Sequence, residues 1–159
     1  MTPTMIDPKT ATTTRQELID RLNDDLAREY QAIIAYVVYS QVLKGAQYMA
    51  IAKELEKHAG QELHHALTIS KHIDYLGGMP CAAPKPVKLT ENAEEMLRAD
   101  LQNENDTIRA YRERVLQCES LSEYAIAEDI REILRQEQEH QIDLATALGE
   151  DVSHATTRQ

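Results

Sequence analysis

The sequence predicts an all-α protein: a four-helix bundle of two antiparallel helical hairpins joined by one long crossover. Three observations carry this. First, Glu29, Glu62 and His65 recur as Glu104, Glu137 and His140, each pair 75 residues apart, and flanking residues recur with them: Leu26, Ile33, Ala35, Tyr36 and Gln61 match Leu101, Ile108, Ala110, Tyr111 and Gln136. Second, four long stretches carry apolar residues at helical spacing, and no strand-like alternation competes with them. Third, the middle of the chain, residues 77–89, holds Pro80, Pro84 and Pro86 and cannot be helical.

The first helix spans residues 15–43. It opens on Thr14-Arg15-Gln16-Glu17, a capping-box pattern, carries Leu18, Leu22, Leu26, Ile33 and Val37 on one period, and stops near Gly45. The second begins near Gln47 and carries Leu55, Leu63, Leu67 and Ile73 to a Gly77-Gly78 stop. Only a short turn joins these two, so they pair antiparallel. A third helix follows Thr90 with Met96, Leu97, Leu101, Ile108, Tyr111 and Val115. The fourth opens on a second capping pattern, Ser120-Leu121-Ser122-Glu123, and carries Ile126, Ile130, Ile133, Leu134 and Leu144 up to Gly149. Nearly extended, residues 77–89 reach about 40 Å, and a helix of this length is about 42 Å long. The link can therefore run the full length of the bundle. Residues 1–13 and 150–159 are expected to be polar tails around a single domain at 14–149.

All four glutamates fall near mid-helix, so the carboxylates meet at one level halfway along the bundle. Residues three apart lie on one helix face, so Glu62 with His65, and Glu137 with His140, each grip one centre. Four carboxylates packed in a low-dielectric interior force protonation or unfolding unless cations balance them. Two divalent metals provide that balance, and neutral imidazoles complete each coordination sphere. Carboxylates and imidazoles without thiolate suit iron or manganese. The expected cofactors are two iron ions per subunit, with manganese as the alternative.

Other residues are expected to have quieter roles. His64 lies about 100° off the ligand face; His58 and His72 are expected to be solvated, and His154 to lie in the tail. Tyr36 and Tyr111 stand two helical turns beyond Glu29 and Glu104, as core packing or as redox partners. A net charge of −10 with no cluster of Lys and Arg excludes a sequence-independent grip on nucleic acid. No apolar run is long enough for a membrane span and no signal-peptide core is present, so the expected location is cytoplasmic. Cys81 and Cys118 lack a C-x-x-C spacing, which excludes a zinc knuckle or a rubredoxin-like iron site.

The stretch Glu94-Glu95-Met96-Leu97-Arg98-Ala99-Asp100-Leu101, the loop Leu76-Gly77-Gly78-Met79-Pro80 and the run from Ile133 to His140 resemble bacterioferritin, over nearly all of residues 15–148. The resemblance implies a ferritin-like fold and a ferroxidase that oxidises Fe(II) with dioxygen or hydrogen peroxide and deposits ferric mineral inside a homo-oligomeric shell. By the same resemblance Glu29 and His65 hold one iron, Glu104 and His140 the other, and Glu62 and Glu137 bridge them. Tyr36 corresponds to a tyrosine beside that centre, a one-electron donor. The family's haem-binding methionine, directly after the second-helix glutamate, is Leu63 here, so no haem is expected. The chain ends at Gln159, too soon after Leu148 for the family's fifth helix, which leaves a 24-subunit cage, a smaller shell and a dimer open. Gln61 and Gln136 stand where relatives commonly carry an acidic residue. Three other readings use the same bundle: a non-storing di-iron oxidase or peroxidase similar to rubrerythrin, a di-manganese catalase, and a non-enzymatic sequestration shell.

Overall fold

The computed structural model describes residues 13–152; the expected tails, and His154 with them, otherwise lie outside the described residues. Among the described residues four helices form: α1 (Arg15–Val42), α2 (Met49–Tyr75), α3 (Ala93–Ser120) and α4 (Tyr124–Ala147), with a 3-10 turn at Ala46–Tyr48 before α2. The α1 start is the anticipated capping box: Thr14 Oγ1 accepts from the Glu17 amide at 3.1 Å, and the Thr14 amide donates to Glu17 Oε2 at 3.0 Å. At the other end of the first hairpin, Gly77 takes a φ of +93°, and the Gly78 amide reaches back to the Ile73 carbonyl at 2.9 Å. This is a Schellman ending. A side chain at Gly78 would meet Ile19 Cγ2 at 2.6 Å, so glycine also permits close packing there.

Helix α3 is capped by Asn92, whose side chain accepts from the Glu95 amide at 2.9 Å. The expected cap at Ser120–Glu123 does not form. Ser120 is the last residue of α3, its hydroxyl donates backwards to Gln117 O, and Ser122 takes a left-handed φ of 59°. The Glu123 amide bonds Cys118 O and the Ser122 amide bonds Glu119 O, so the turn is spent on ending α3, and α4 begins at Tyr124 without a side-chain cap.

The crossover lies along α1 and runs in the same direction. Its contacts climb the helix in order: Asn23 donates to Met79 O at 3.1 Å, the Lys85 amide to Ala27 O at 3.0 Å, Gln31 to Pro86 O at 2.6 Å, and the Tyr39 hydroxyl to Lys88 O. It therefore delivers α3 to the far end of α1. Helix α1 packs chiefly on α2 and α3 on α4, and the hairpins join through α1 against α3 and α2 against α4. No described helix is long and apolar enough to cross a membrane.

The core divides into two apolar clusters. Leu18, Leu22, Leu26, Ile69, Ile73 and Ile130 belong to one, and Tyr36, Tyr39, Leu55, Met96, Leu97 and Leu144 to the other. The helical periodicity overreached at three positions. Val37, Leu63 and Leu67 are 51%, 53% and 63% exposed, because they stand on the outer face of α1 and α2, turned away from the two helices that each of these packs against. Cys81 and Cys118 are free thiols.

Candidate metal centre

Mid-helix placement brings Glu29, Glu62, His65, Glu104, Glu137 and His140 together between the two apolar clusters, all of them buried. They form two overlapping groups. Glu29, Glu62, His65 and Glu137 present one ligand atom each within 4.8 Å of one another, and so do Glu62, Glu104, Glu137 and His140. Glu62 and Glu137 are common to both groups.

Each imidazole is oriented by a glutamine from the opposite hairpin. His65 Nε2 donates to Gln136 Oε1 at 2.6 Å, and His140 Nε2 donates to Gln61 Oε1 at 2.7 Å. With the Nε2 proton held there, Nδ1 of both rings faces the carboxylates. His65 Nδ1 lies 2.8 Å from Glu62 Oε2, 3.3 Å from Glu137 and 3.5 Å from Glu29. His140 Nδ1 lies 3.0 Å from Glu62, 3.1 Å from Glu137 and 3.5 Å from Glu104.

The tyrosines cross between hairpins as well. Tyr36 donates its hydroxyl to Glu104, and Tyr111 donates to Glu29. Spacing along the helix puts each tyrosine two turns beyond the glutamate of its own helix, on the same face, and packing gives its hydroxyl to the glutamate of the partner hairpin. Burial, then the charge of the bonded glutamate, raises both phenols well above their usual range, so they stay protonated donors at neutral pH.

The electrostatics are those of a charge trap. Burial first, then Glu137, raises Glu104 from 4.5 to about 7. Burial, then Glu137 and Glu29, raises Glu62 well above the carboxylate range. Glu29 is lowered, since hydrogen bonds from its neighbours, led by His65, outweigh its burial. Burial alone would lower both imidazoles, but the carboxylates around them raise both His65 and His140. Protonated rings thus balance part of the carboxylate charge, a task that divalent cations perform at shorter range.

The donor set fits such cations. Glu29 Oε2, Glu62 Oε1, Glu137 Oε2 and His140 Nδ1 are buried and meet their neighbours only as carboxylate–imidazole ion pairs at 3.0–3.5 Å, with no aligned hydrogen bond. Buried polar atoms left without aligned hydrogen bonds are costly, and cations between them would satisfy all four. Hard oxygen donors with imidazole suit iron or manganese.

Four further residues complete the surroundings. Asp25 and Arg114 form a buried pair, with Nε to Oδ2 at 2.6 Å and a terminal nitrogen to Oδ1 at 3.1 Å. Their counterparts 75 residues away are Asp100 and Tyr39, so the second side has no guanidinium; there burial, then the Glu104 charge, raises Asp100 well above its usual range. His58 and His72, expected to be solvated, are only 2% and 7% exposed. They turn inward to carboxylates of α4: His58 lies 3.1 Å from Asp143 and His72 2.7 Å from Asp129. The signal was present in the spacing, since His58, His65 and His72 stand seven apart and share one face of α2. His64 is exposed, as anticipated.

Comparison with known proteins agrees with this geometry. A family model described as a ferritin-like domain matches residues 19–152. A bacterioferritin of Brucella melitensis is 30% identical over 142 residues, covering 85% of this chain and 88% of its own. A bacterioferritin of Rhodobacter capsulatus is 28% identical over 128 residues, 80% of this chain and 79% of its own. Among solved structures, a ferritin-like diiron-carboxylate protein of Bacillus anthracis superposes with a TM-score of 0.81 at 33% identity, covering 84% of this chain and 96% of that one. With a repeated helical hairpin, a crossover laid along α1 and a buried Glu/His centre at mid-bundle, the chain belongs to the ferritin-like family, with bacterioferritins among its relatives.

Proposed function

We propose that this protein is a bacterioferritin-like ferroxidase that binds two Fe(II) per subunit, oxidises them with dioxygen or hydrogen peroxide, and passes the ferric product into an oligomeric shell for storage. The observation that carries the reading is the sharing of Glu62 and Glu137 by two overlapping ligand groups, which lets two ions sit side by side. Two ferrous ions supply one electron each, the pair that reduces dioxygen to peroxide or peroxide to two waters with uptake of two protons.

The chain's own residues set up this chemistry. Glu29 and His65 would hold one ion, Glu104 and His140 the other, and Glu62 and Glu137 would be shared by both. Gln61 and Gln136 hold the histidine tautomer that leaves Nδ1 free for a cation. Tyr36 and Tyr111 donate to Glu104 and Glu29 and so orient these two carboxylates, and Tyr36 would supply a further electron. The two apolar clusters keep bulk water from the centre. Association into a homo-oligomer is supported by exposed Ile34, Val37, Val42, Met49, Leu63 and Leu67, all on the first hairpin.

Stepwise aerobic addition of Fe(II) to the metal-free protein, followed by size separation with iron counted in the protein peak, tests the reading. Rapid oxidation with a break at two irons per chain, then continued uptake in a large assembly, is expected. Saturation at two irons in a small oligomer would instead indicate a non-storing oxidase or peroxidase. Glu62→Ala or Glu137→Ala should abolish the rapid phase, and wild-type rates in either variant would refute the site.

A further inference from the structure

We propose that Glu54, His58 and Asp143 form a third divalent-cation site, outside the two-metal centre, which acquires Fe(II) or Mn(II) from solvent beside His140. The three side chains present one ligand atom each within 4.8 Å of one another, drawn from α2 and α4. His58 and Asp143 already lie 3.1 Å apart. Bonds of about 2.0–2.2 Å around a tetrahedral or octahedral ion place donor atoms about 3–4.4 Å from one another, so the trio closes on an ion with side-chain movements below an ångström.

Several observations separate this trio from an ordinary buried histidine with a carboxylate partner. The His58 ring is buried, and its Nδ1 has no hydrogen-bond partner, so the ring is not locked by bonds at both nitrogens. Glu54 stands one helical turn before His58 and needs no place in a core. Asp143 and Glu54 both border a cavity of about 220 Å³ lined also by Gln47, Ala50 and Ile51, which gives the site a route to solvent. On its inner side the His58 ring stacks on His140 with centroids 3.9 Å apart, so one imidazole thickness separates the trio from the centre.

The internal repeat gives a control. All six residues of the centre have identical counterparts 75 residues away, but the counterparts of Glu54, His58 and Asp143 are Asp129, Ile133 and Thr68. A ligating trio therefore exists on one side only. The outwardly similar pair His72 and Asp129 has no third ligand among the described residues, and Lys71 Nζ stands 3.9 Å from the same Asp129 oxygen where a cation would sit. Glu54 does hold Lys57 Nζ at 3.2 Å, but that lysine is exposed and a surface pair of this kind yields readily.

The site itself does not depend on the ferroxidase reading; its acquisition role does. The test is anaerobic titration of the full-length, metal-free protein with Co(II), counting bound ions by equilibrium dialysis and calorimetry. Wild type is expected to bind three ions per chain, and Asp143→Asn or Glu54→Gln two, with the third weakened about tenfold or more. A Glu62→Ala/Glu137→Ala variant should keep the third ion alone. Saturation of wild type at two ions, or three ions retained in both Asp143→Asn and Glu54→Gln, overturns the third site. One ion in wild type, lost in Asp143→Asn, would uphold the trio and sink the two-metal reading. For the acquisition role, Asp143→Asn should slow the first phase of Fe(II) oxidation at least several-fold while the break stays at two irons; an unchanged rate refutes it.

Discussion

Replacing Glu104 by glutamine should stabilise the metal-free protein at neutral pH while damaging its metal binding. Glutamine has the shape of a protonated glutamate and can still accept the Tyr36 hydroxyl bond. Burial and Glu137 raise Glu104 from 4.5 to about 7. A carboxyl whose folded value lies above its unfolded one contributes no penalty below 4.5. As pH rises from about 4.5 through about 7 the unfolded chain ionises first, and folding loses stability. At 1.36 kcal/mol per pH unit the full loss above pH 7 is about 3 kcal/mol. Glu104→Gln removes it, so the variant should match wild type near pH 4.5 and exceed it by up to about 3 kcal/mol at pH 8, or about 6–12 °C in melting temperature for a chain of this size. Thermal and urea unfolding in the presence of a chelator at both pH values is the assay. Added Fe(II) or Mn(II) should invert the order: a site filled at a hundredfold excess over its Kd adds about 2.7 kcal/mol, and the variant lacks one ligand. A metal-free variant no more stable than wild type at pH 8 would refute the charge-trap account.

Removing the carboxylate of the buried Asp25–Arg114 pair, as in Asp25→Asn, should cost about 3–5 kcal/mol by denaturant unfolding, because it leaves the buried Arg114 charge without its counter-charge, with Gln117 as a neutral partner; a cost below 1 kcal/mol would show that pair to be solvated. Leu22→Ala, at a fully buried core position, should cost about 2–5 kcal/mol, while Leu63→Ala on the outer face of α2 should cost the isolated subunit little; equal costs would contradict the burial pattern. Tyr111→Phe removes the bond to Glu29 and should slow Fe(II) oxidation about 10–100-fold with the two-iron break unchanged, whereas a lost break would make the tyrosine essential for binding. Metal affinity should rise with pH, because binding must displace protons from the raised Glu62, Glu104, His65 and His140, and the share of proton release that Glu104 contributes should fall as pH rises through about 7.

The four helices, the repeat, the crossover and the level at which six ligands gather are all legible in the order of residues along the chain. Those features follow from spacing along one chain: a period of 3.6 residues fixes which residues share a face, capping residues fix the α1 start, and prolines forbid helix between the hairpins. Order along the chain says less wherever a residue's fate depends on a helix distant in sequence. Tyr36 and Tyr111 share a face with Glu29 and Glu104 on their own helices, yet each bonds the glutamate of the opposite hairpin, and Gln61 and Gln136 reach across in the same way. His58 and His72 looked like solvated residues until α4 supplied Asp143 and Asp129, and nothing in the local sequence pairs Asp25 with Arg114. Ser120 matched a helix-start pattern that the tight ending of α3 overruled. These pairings arise when the helices pack, because α1 on α3 and α2 on α4 select which face of each helix meets which neighbour, and a one-dimensional period carries no such information.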